Sequence, residues 1–238
     1  MKTNFNIVLV HGAFGDGSHW RYIIPALSNA GYTVRAMQLS LASLSEDIQK
    51  TSDLVSALNG PTLLVGHSYA GMVISAVGNL PTVKGMVYVA AFAPEKGESV
   101  GVLSHIGETP EGSTAVATGP SGLLFLDYER FHELYCPEVS ENEAMVLASA
   151  QKPISQAIID GEFDFEPAWK DKPSWYQTSV KDKMIIPATQ ALFIERIRPI
   201  KTVTLEAGHA TIISHHELIS SLILEAADSL LQDSELMQ

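Results

Sequence analysis

Six residues, Gly66-His67-Ser68-Tyr69-Ala70-Gly71, join two apolar segments. Upstream, Thr62-Leu63-Leu64-Val65 reads as a short buried strand; downstream, Met72-Val73-Ile74-Ser75-Ala76-Val77 reads as a buried helix. A serine on so sharp a strand-to-helix turn has its hydroxyl pushed out above the sheet, where a substrate can reach it. The first N–H groups of the helix point at the same spot and suit a developing negative charge. The small neighbours have a steric role, because strand and helix approach closely at such an elbow. The usual pattern is Gly-x-Ser-x-Gly, and here Ala70, the next smallest residue, takes the last position. The string alone is common by chance, so the rest of the chain must supply the context.

That context is an alternation of strands and helices. Phe5 to Val10 is an apolar run suited to a strand buried on both faces. A glycine-rich loop, His11 to Gly17, follows. The spacing of Trp20, Ile23, Ile24 and Leu27 predicts a helix over 20–30, ended at Gly31. Tyr32 to Met37 is a second strand. Ser43-Leu44-Ser45-Glu46 forms a capping box that opens a helix with Ile48, Leu54, Val55 and Leu58 inward, and Asn59-Gly60 stops it. The strand at 62–66, the elbow helix and an apolar strand at 85–91 complete the first half. Such an order implies right-handed crossovers and a parallel sheet with helices on both faces. Residues 95–172 break the pattern, with helical stretches expected near 127–135 and 140–150. The alternation resumes with a strand at 174–180, a helix at 188–197, a strand at 202–205 and a helix at 214–231. Ser214-His215-His216-Glu217 reads as a second capping box. With 238 residues, the chain suits one α/β domain: a core of 1–94 and 173–238, and a mainly helical cap insertion, 95–172, over the C-terminal edge of the sheet.

Composition removes several functions. The net charge of −12, from 15 basic and 27 acidic residues, argues against a nucleic-acid partner. Cys136 is the only cysteine, so no internal disulfide forms. No apolar run of about 18 residues and no signal segment is found, so the expectation is a cytoplasmic protein without a membrane partner. The sequence leaves room for a homo-oligomer.

In an open parallel sheet, the loops at the C-terminal strand ends gather into one crevice. Ser68 follows the third strand, Asp182 follows the strand at 174–180, and His209 follows the strand at 202–205. A serine hydroxyl is a poor nucleophile near neutral pH. A histidine in reach takes its proton and returns it to the leaving group, and a carboxylate behind the histidine fixes its tautomer. Ser68, His209 and Asp182 are therefore the catalytic candidates. Lys181-Asp182-Lys183 is equally what a solvated charged turn looks like, and Glu95, Asp160 and Asp164 compete for the acid's role. The backbone N–H groups of Ala13 and Tyr69 are the expected oxyanion hole. The glycines of 11–17 match neither a Walker loop nor a dinucleotide fingerprint. His11 and His67 are expected to bond backbone. Adjacent His215 and His216 make a poor metal pair, and neither a metal nor a cofactor is expected. Met86, Phe92, Leu123, Leu124, Phe125 and Phe131 either line an apolar pocket or fill the insertion's core.

On these residues the chain resembles the α/β-hydrolase superfamily, and within it the small bacterial esterases related to pyrethroid hydrolases. It resembles the plant methylesterase and hydroxynitrile lyase group more distantly. The matching segments are Val8 to Ala13, Gly66 to Gly71, Val87 to Phe92, Asp182 to Pro187 and Ala207 to Ala210. The resemblance implies an α/β-hydrolase fold, with Ser68 as nucleophile, His209 as base, Asp182 as its partner, and Ala13 and Tyr69 as amide donors. The implied reaction is cleavage of a small, largely apolar ester through an acyl-serine. Amide, lactone or carbon–carbon cleavage, and service as a ligand receptor, are the alternatives. Hydroxynitrile lyases of this group carry threonine where Gly12 stands and lysine where Ala210 stands, which favours the esterase type of site here.

Overall fold

The structure, a computed structural model, describes residues 4–236. Its central strands are buried on both faces: β1 (Asn6–Val10), β3 (Thr62–His67) and β4 (Val83–Val89), whose sequences are mainly apolar, and β7 (Ser174–Ser179), which is buried although half polar in sequence. With the edge strands β2 (Thr33–Ala36) and β8 (Lys201–Leu205), they form a six-stranded sheet in the order β2-β1-β3-β4-β7-β8. Every pairing in it is parallel. The chain moves outward from β1 to β2, then returns across β1 to β3. The strand order thus reverses between β1 and β3, which is where such sheets open a crevice.

Helices cover both faces. Packing on one face are α1 (Ile23–Asn29) and the C-terminal α10 (His216–Leu236). Packed together across from them are α2 (Leu44–Ser56) and α3 (Ala70–Val77), and right-handed crossover puts α8 (Pro187–Ile197) on their side. Half of the first capping box forms: the Ser43 hydroxyl accepts from the Glu46 N–H, while the Glu46 carboxylate pairs with Lys50 instead of returning to the Ser43 N–H. Two predicted helix starts differ. Residues 17–20 make a 3-10 turn, set by the Asp16 carboxylate accepting from the Ser18 N–H, so α1 begins only at Ile23. Ser214 ends a short helix, α9 (Thr211–Ser214). Its hydroxyl is spent on the Ala210 carbonyl and the His215 ring rather than on a cap for Glu217.

Between β4 and β7 the chain carries four short helices: α4 (Val100–Ser104), α5 (Tyr128–Tyr135), α6 (Glu141–Ser149) and α7 (Gln156–Asp160). It also holds a two-stranded antiparallel hairpin, β5 (Val116–Thr118) with β6 (Leu124–Leu126), which the sequence reading did not foresee. The segment is tied to the crevice by an isolated bridge between Phe14 and Lys152. It is also tied by the Arg196 guanidinium, which reaches both Glu98 oxygens and the Ala93 carbonyl. Among the described residues no helix is long and apolar enough to cross a membrane.

Candidate active site

Ser68 sits between the end of β3 and the start of α3 with φ of 58°. A non-glycine residue in this left-handed region is strained, and the strain is held by close packing around it. The Ser68 carbonyl accepts from both Gly71 (3.0 Å) and Phe92 (3.1 Å) N–H groups. A side chain at Gly71 would place its Cβ 1.9 Å from the Phe92 carbonyl oxygen, so only glycine fits. Ala70, by contrast, is the first residue of α3, where a methyl group is accommodated in the core.

The loop after β1 meets the elbow at the strand-order reversal. A Cβ at Gly12 would lie 2.8 Å from Ser68 Cβ. This contact brings Ala13 beside Ser68, and Ala13, Ser68 and Tyr69 line one cavity. Among the described residues, no protein group takes the Ala13 or Tyr69 N–H.

His209 reaches Ser68 from the β8 end. Its Nδ1–H donates to Asp182 Oδ2 at 2.8 Å, which leaves Nε2 to accept from the Ser68 hydroxyl at 2.8 Å. Asp182 is buried between two exposed lysine side chains, so its turn is not the solvated one that Lys181-Asp182-Lys183 suggests. Its Oδ1 accepts from the Met184 and Ile185 N–H groups, and its Oδ2 also accepts from Gln190 Nε2. Gln190 in turn takes the Ser179 N–H, locking the carboxylate to the end of β7. The competing acids are engaged elsewhere. Glu95 pairs with Lys170, Asp164 pairs with Lys96, and Asp160 accepts from Gln156.

The flanking histidines bond backbone, as expected. His67 Nε2–H donates to the His209 carbonyl, and burial, with the His209 ring alongside, pushes its pKa well below the ordinary range. His11 accepts the Leu39 N–H on Nε2 and donates from Nδ1 to the Gly12 carbonyl; burial pushes it down to about 4. Both rings are thus neutral props under the two loops. His215 and His216 lie away from this site, and among the described residues no group of three metal-binding side chains occurs.

Four contributors escaped the sequence reading. Gln190 and Asp47 are buried polar side chains with no local signal beyond their type. Asp47, on α2, accepts from the Tyr69 hydroxyl. The other two come from the insertion: the Tyr135 carbonyl takes the Ala210 N–H, and Glu138 takes the Gly208 N–H, so the insertion braces the His209 loop on both sides.

The cavity above Ser68 holds about 360 Å³. From the core come Phe14, Phe92, Met184 and Ile185, and from the insertion Val100, Leu124, Ile154, Ile158 and Ile159. Of the six sequence-nominated pocket residues, Phe92 and Leu124 line it, Met86 and Phe131 are core, Leu123 is exposed, and Phe125, on β6, is half-buried outside the lining. No carboxylate, lysine or arginine is in the lining.

The chain is 33% identical over 129 residues to a carbendazim-hydrolysing esterase of Nocardioides sp., a match covering 48% of this chain and 53% of that protein. It thus spans about half of that relative's length. It is 24% identical over 249 aligned positions to a pyrethroid hydrolase of Sphingobium wenxiniae, covering 95% of this chain and 89% of the relative. The crystal structure of a pyrethroid hydrolase from Sphingobium faniae superposes with a TM-score of 0.82 at 22% identity, over 94% of this chain and 97% of that one. A family model for alpha/beta hydrolases matches residues 7–221, nearly the whole sheet and everything between its strands, so the chain belongs to the alpha/beta hydrolase family.

Proposed function

We propose that the protein is a serine carboxylesterase that cleaves small, uncharged, largely apolar esters through an acyl-serine intermediate. The observation that carries this is the unbroken hydrogen-bonded line from Ser68 Oγ through His209 to Asp182, with 2.8 Å at each step. In this reading His209 Nε2 takes the hydroxyl proton as Ser68 Oγ attacks the ester carbonyl. Asp182 holds the tautomer that makes Nε2 the base and stabilises the imidazolium. The Ala13 and Tyr69 N–H groups receive the oxyanion, each contributing roughly 3 kcal/mol to the transition state. The imidazolium then protonates the leaving alkoxide. Water, deprotonated by the same nitrogen, releases the acid.

The cavity supports the substrate class. Its volume of about 360 Å³ suits a compact molecule, and its lining has no carboxylate, lysine or arginine to pair with an ionised one. The names of the two relatives, one an esterase and one a hydrolase, point the same way. Cyanohydrin cleavage finds no support: Gly12 has no room for a side chain, and Ala210 is fully buried.

Turnover of short-chain p-nitrophenyl esters by the wild type and by Ser68→Ala tests the proposal. The variant is expected to lose activity by on the order of 10⁴-fold or more. A fluorophosphonate is expected to label Ser68 alone. Full activity in Ser68→Ala would remove Ser68 from the mechanism. Tight ligand binding with no turnover by the wild type would make the fold a receptor instead.

A further inference from the structure

Asp47 is a fully buried carboxylate with no cation bonded to it among the described residues. Burying a carboxylate so is costly unless donors surround it. Its Oδ1 is surrounded: it accepts from the Ser40 N–H (2.7 Å), the Ser40 hydroxyl (2.9 Å) and the Leu41 N–H (3.1 Å). A loop cap would need nothing more. Oδ2 is spent differently, on the Tyr69 phenol at 3.0 Å.

We propose that Asp47 is a positioning residue for the oxyanion hole. By holding the Tyr69 side chain and the Ser40-Leu41 turn together, it fixes the aim of the Tyr69 N–H beside Ser68. The proposal rests on the serine-esterase reading of the site.

The direction of the Tyr69 N–H depends on the Ser68–Tyr69 peptide, which is set by ψ of Ser68 and φ of Tyr69. Ser68 is in the left-handed region and Tyr69 has φ of −49°, so this plane is twisted sharply between strand and helix. Elsewhere in the elbow, small residues let the backbones pack. At 69 a large ring is buried instead, and its hydroxyl is tethered to a different helix. A tethered side chain restrains its own φ. The same turn reaches the opposite donor. Leu41 has φ of 57°, and Leu39, one residue before Ser40, donates its N–H to His11, whose ring holds the Gly12 carbonyl next to Ala13. Both N–H groups of the proposed oxyanion hole are therefore referenced to the one turn that Asp47 holds.

Tyr69→Phe tests this, because it removes one hydroxyl and leaves the Ser40 and Leu41 bonds of Asp47 in place. The expected result is a fall in kcat of about 10- to 100-fold with KM nearly unchanged, as for a catalytic group displaced by a fraction of an ångström. An alkylboronic acid, whose tetrahedral serine adduct places an oxygen in the hole, is expected to lose affinity by the same factor. Asp47→Asn is expected to act in the same direction, and the double variant to fall no further than the worse single one. Asp47→Asn decides alone if Tyr69→Phe does not fold. Wild-type kcat and boronate affinity in a folded Tyr69→Phe would overturn the proposal, as would additive effects in the double variant. The wild type's own fluorophosphonate labelling separates the two readings. Labelling of Ser68 with an unaffected Tyr69→Phe sinks only the role of Asp47, whereas no labelling of the wild type sinks the esterase reading and this role with it.

Discussion

The two walls of the cavity are held in different ways. On the core side, Ser68, Asp182 and the loop carrying Ala13 stand at the ends of buried strands of one sheet, each fixed by bonds to neighbouring core backbone or to Gln190 of α8. On the insertion side, Val100, Leu124 and Ile158 stand on short elements that the sheet does not order. That wall is anchored by contacts outside the ladder of the sheet, among them the Phe14–Lys152 bridge, Arg196 on Glu98, the Ser155 N–H on the Leu41 carbonyl, the Gly112 N–H on the Lys183 carbonyl, and the bonds of Tyr135 and Glu138 to the His209 loop. The division separates reactivity from choice. In the proposed mechanism the core side positions the reacting atoms, and the other side shapes the space around the substrate.

The sharpest way to break that division is at Asp182. Asp182→Asn keeps the shape but no longer holds His209 in the tautomer that leaves Nε2 free. It is expected to lower kcat by about 10⁴-fold for every ester tried. A loss that varied strongly with the acyl group would show that Asp182 also shapes the pocket.

Acid probes the same contrast through stability. His11 and His19, both in the loop and turn after β1, are pushed down to about 4 by burial, from an ordinary value of 6.5. Between those pH values the unfolded chain binds more protons than the folded one. Stability therefore falls as pH drops from about 6.5 towards about 4, by up to about 3 kcal/mol for each ring. Protonated His11 can no longer accept the Leu39 N–H, so the protection factor of the Leu39 amide, corrected for the intrinsic pH dependence of exchange, is expected to fall on acidification before those of α5 and α6. A melting temperature that stays flat across this window would contradict the neutral, buried state of both rings.

On the opposite wall, Ile159→Ala enlarges the cavity without touching the reacting groups. The ratio of kcat/KM for a branched over an acetyl ester is expected to rise about tenfold, the scale of one to two methylene groups. Labelling by a small fluorophosphonate is expected to stay at the wild-type rate. A fall in labelling would mean that this wall also orders the serine.

The same division explains what the sequence disclosed. The apolar strands β1, β3 and β4 announce themselves through hydrophobic runs, and the end of β3 places Ser68; the more polar strands β7 and β8, which precede Asp182 and His209, are legible only as a resumption of the strand-helix alternation. The insertion has no such regularity. Its hairpin strands are three residues each, and Leu123 and Leu124 look alike in sequence although one is exposed and the other lines the cavity. Asp47 and Gln190 were invisible for another reason. Each sits in an ordinary amphipathic helix, and only the tertiary packing reveals that a polar side chain is turned inward. The false capping box at Ser214 belongs here too, since the pattern was present but its hydroxyl found nearer partners.

Glu138 supplies the smallest expected effect and the finest test of the division. It belongs to the insertion, yet its carboxylate accepts the Gly208 N–H at 2.7 Å, one residue before His209. A side chain at Gly208 would meet Pro137 at 3.0 Å, so the two turns are closely packed and that bond has little freedom to be replaced by another. Glu138 is itself exposed, which limits the bond to about 1 kcal/mol. Glu138→Ala is then expected to lower kcat about fivefold, with KM unchanged. The decisive reading is how that loss is distributed across substrates. A uniform fivefold loss across a panel of acyl groups would place Glu138 with the reacting groups, since a loosened imidazole slows every ester alike. A loss concentrated on the bulkiest esters would place it with the pocket wall. The first outcome is expected, because its one bond is to the histidine loop and its side chain does not line the cavity.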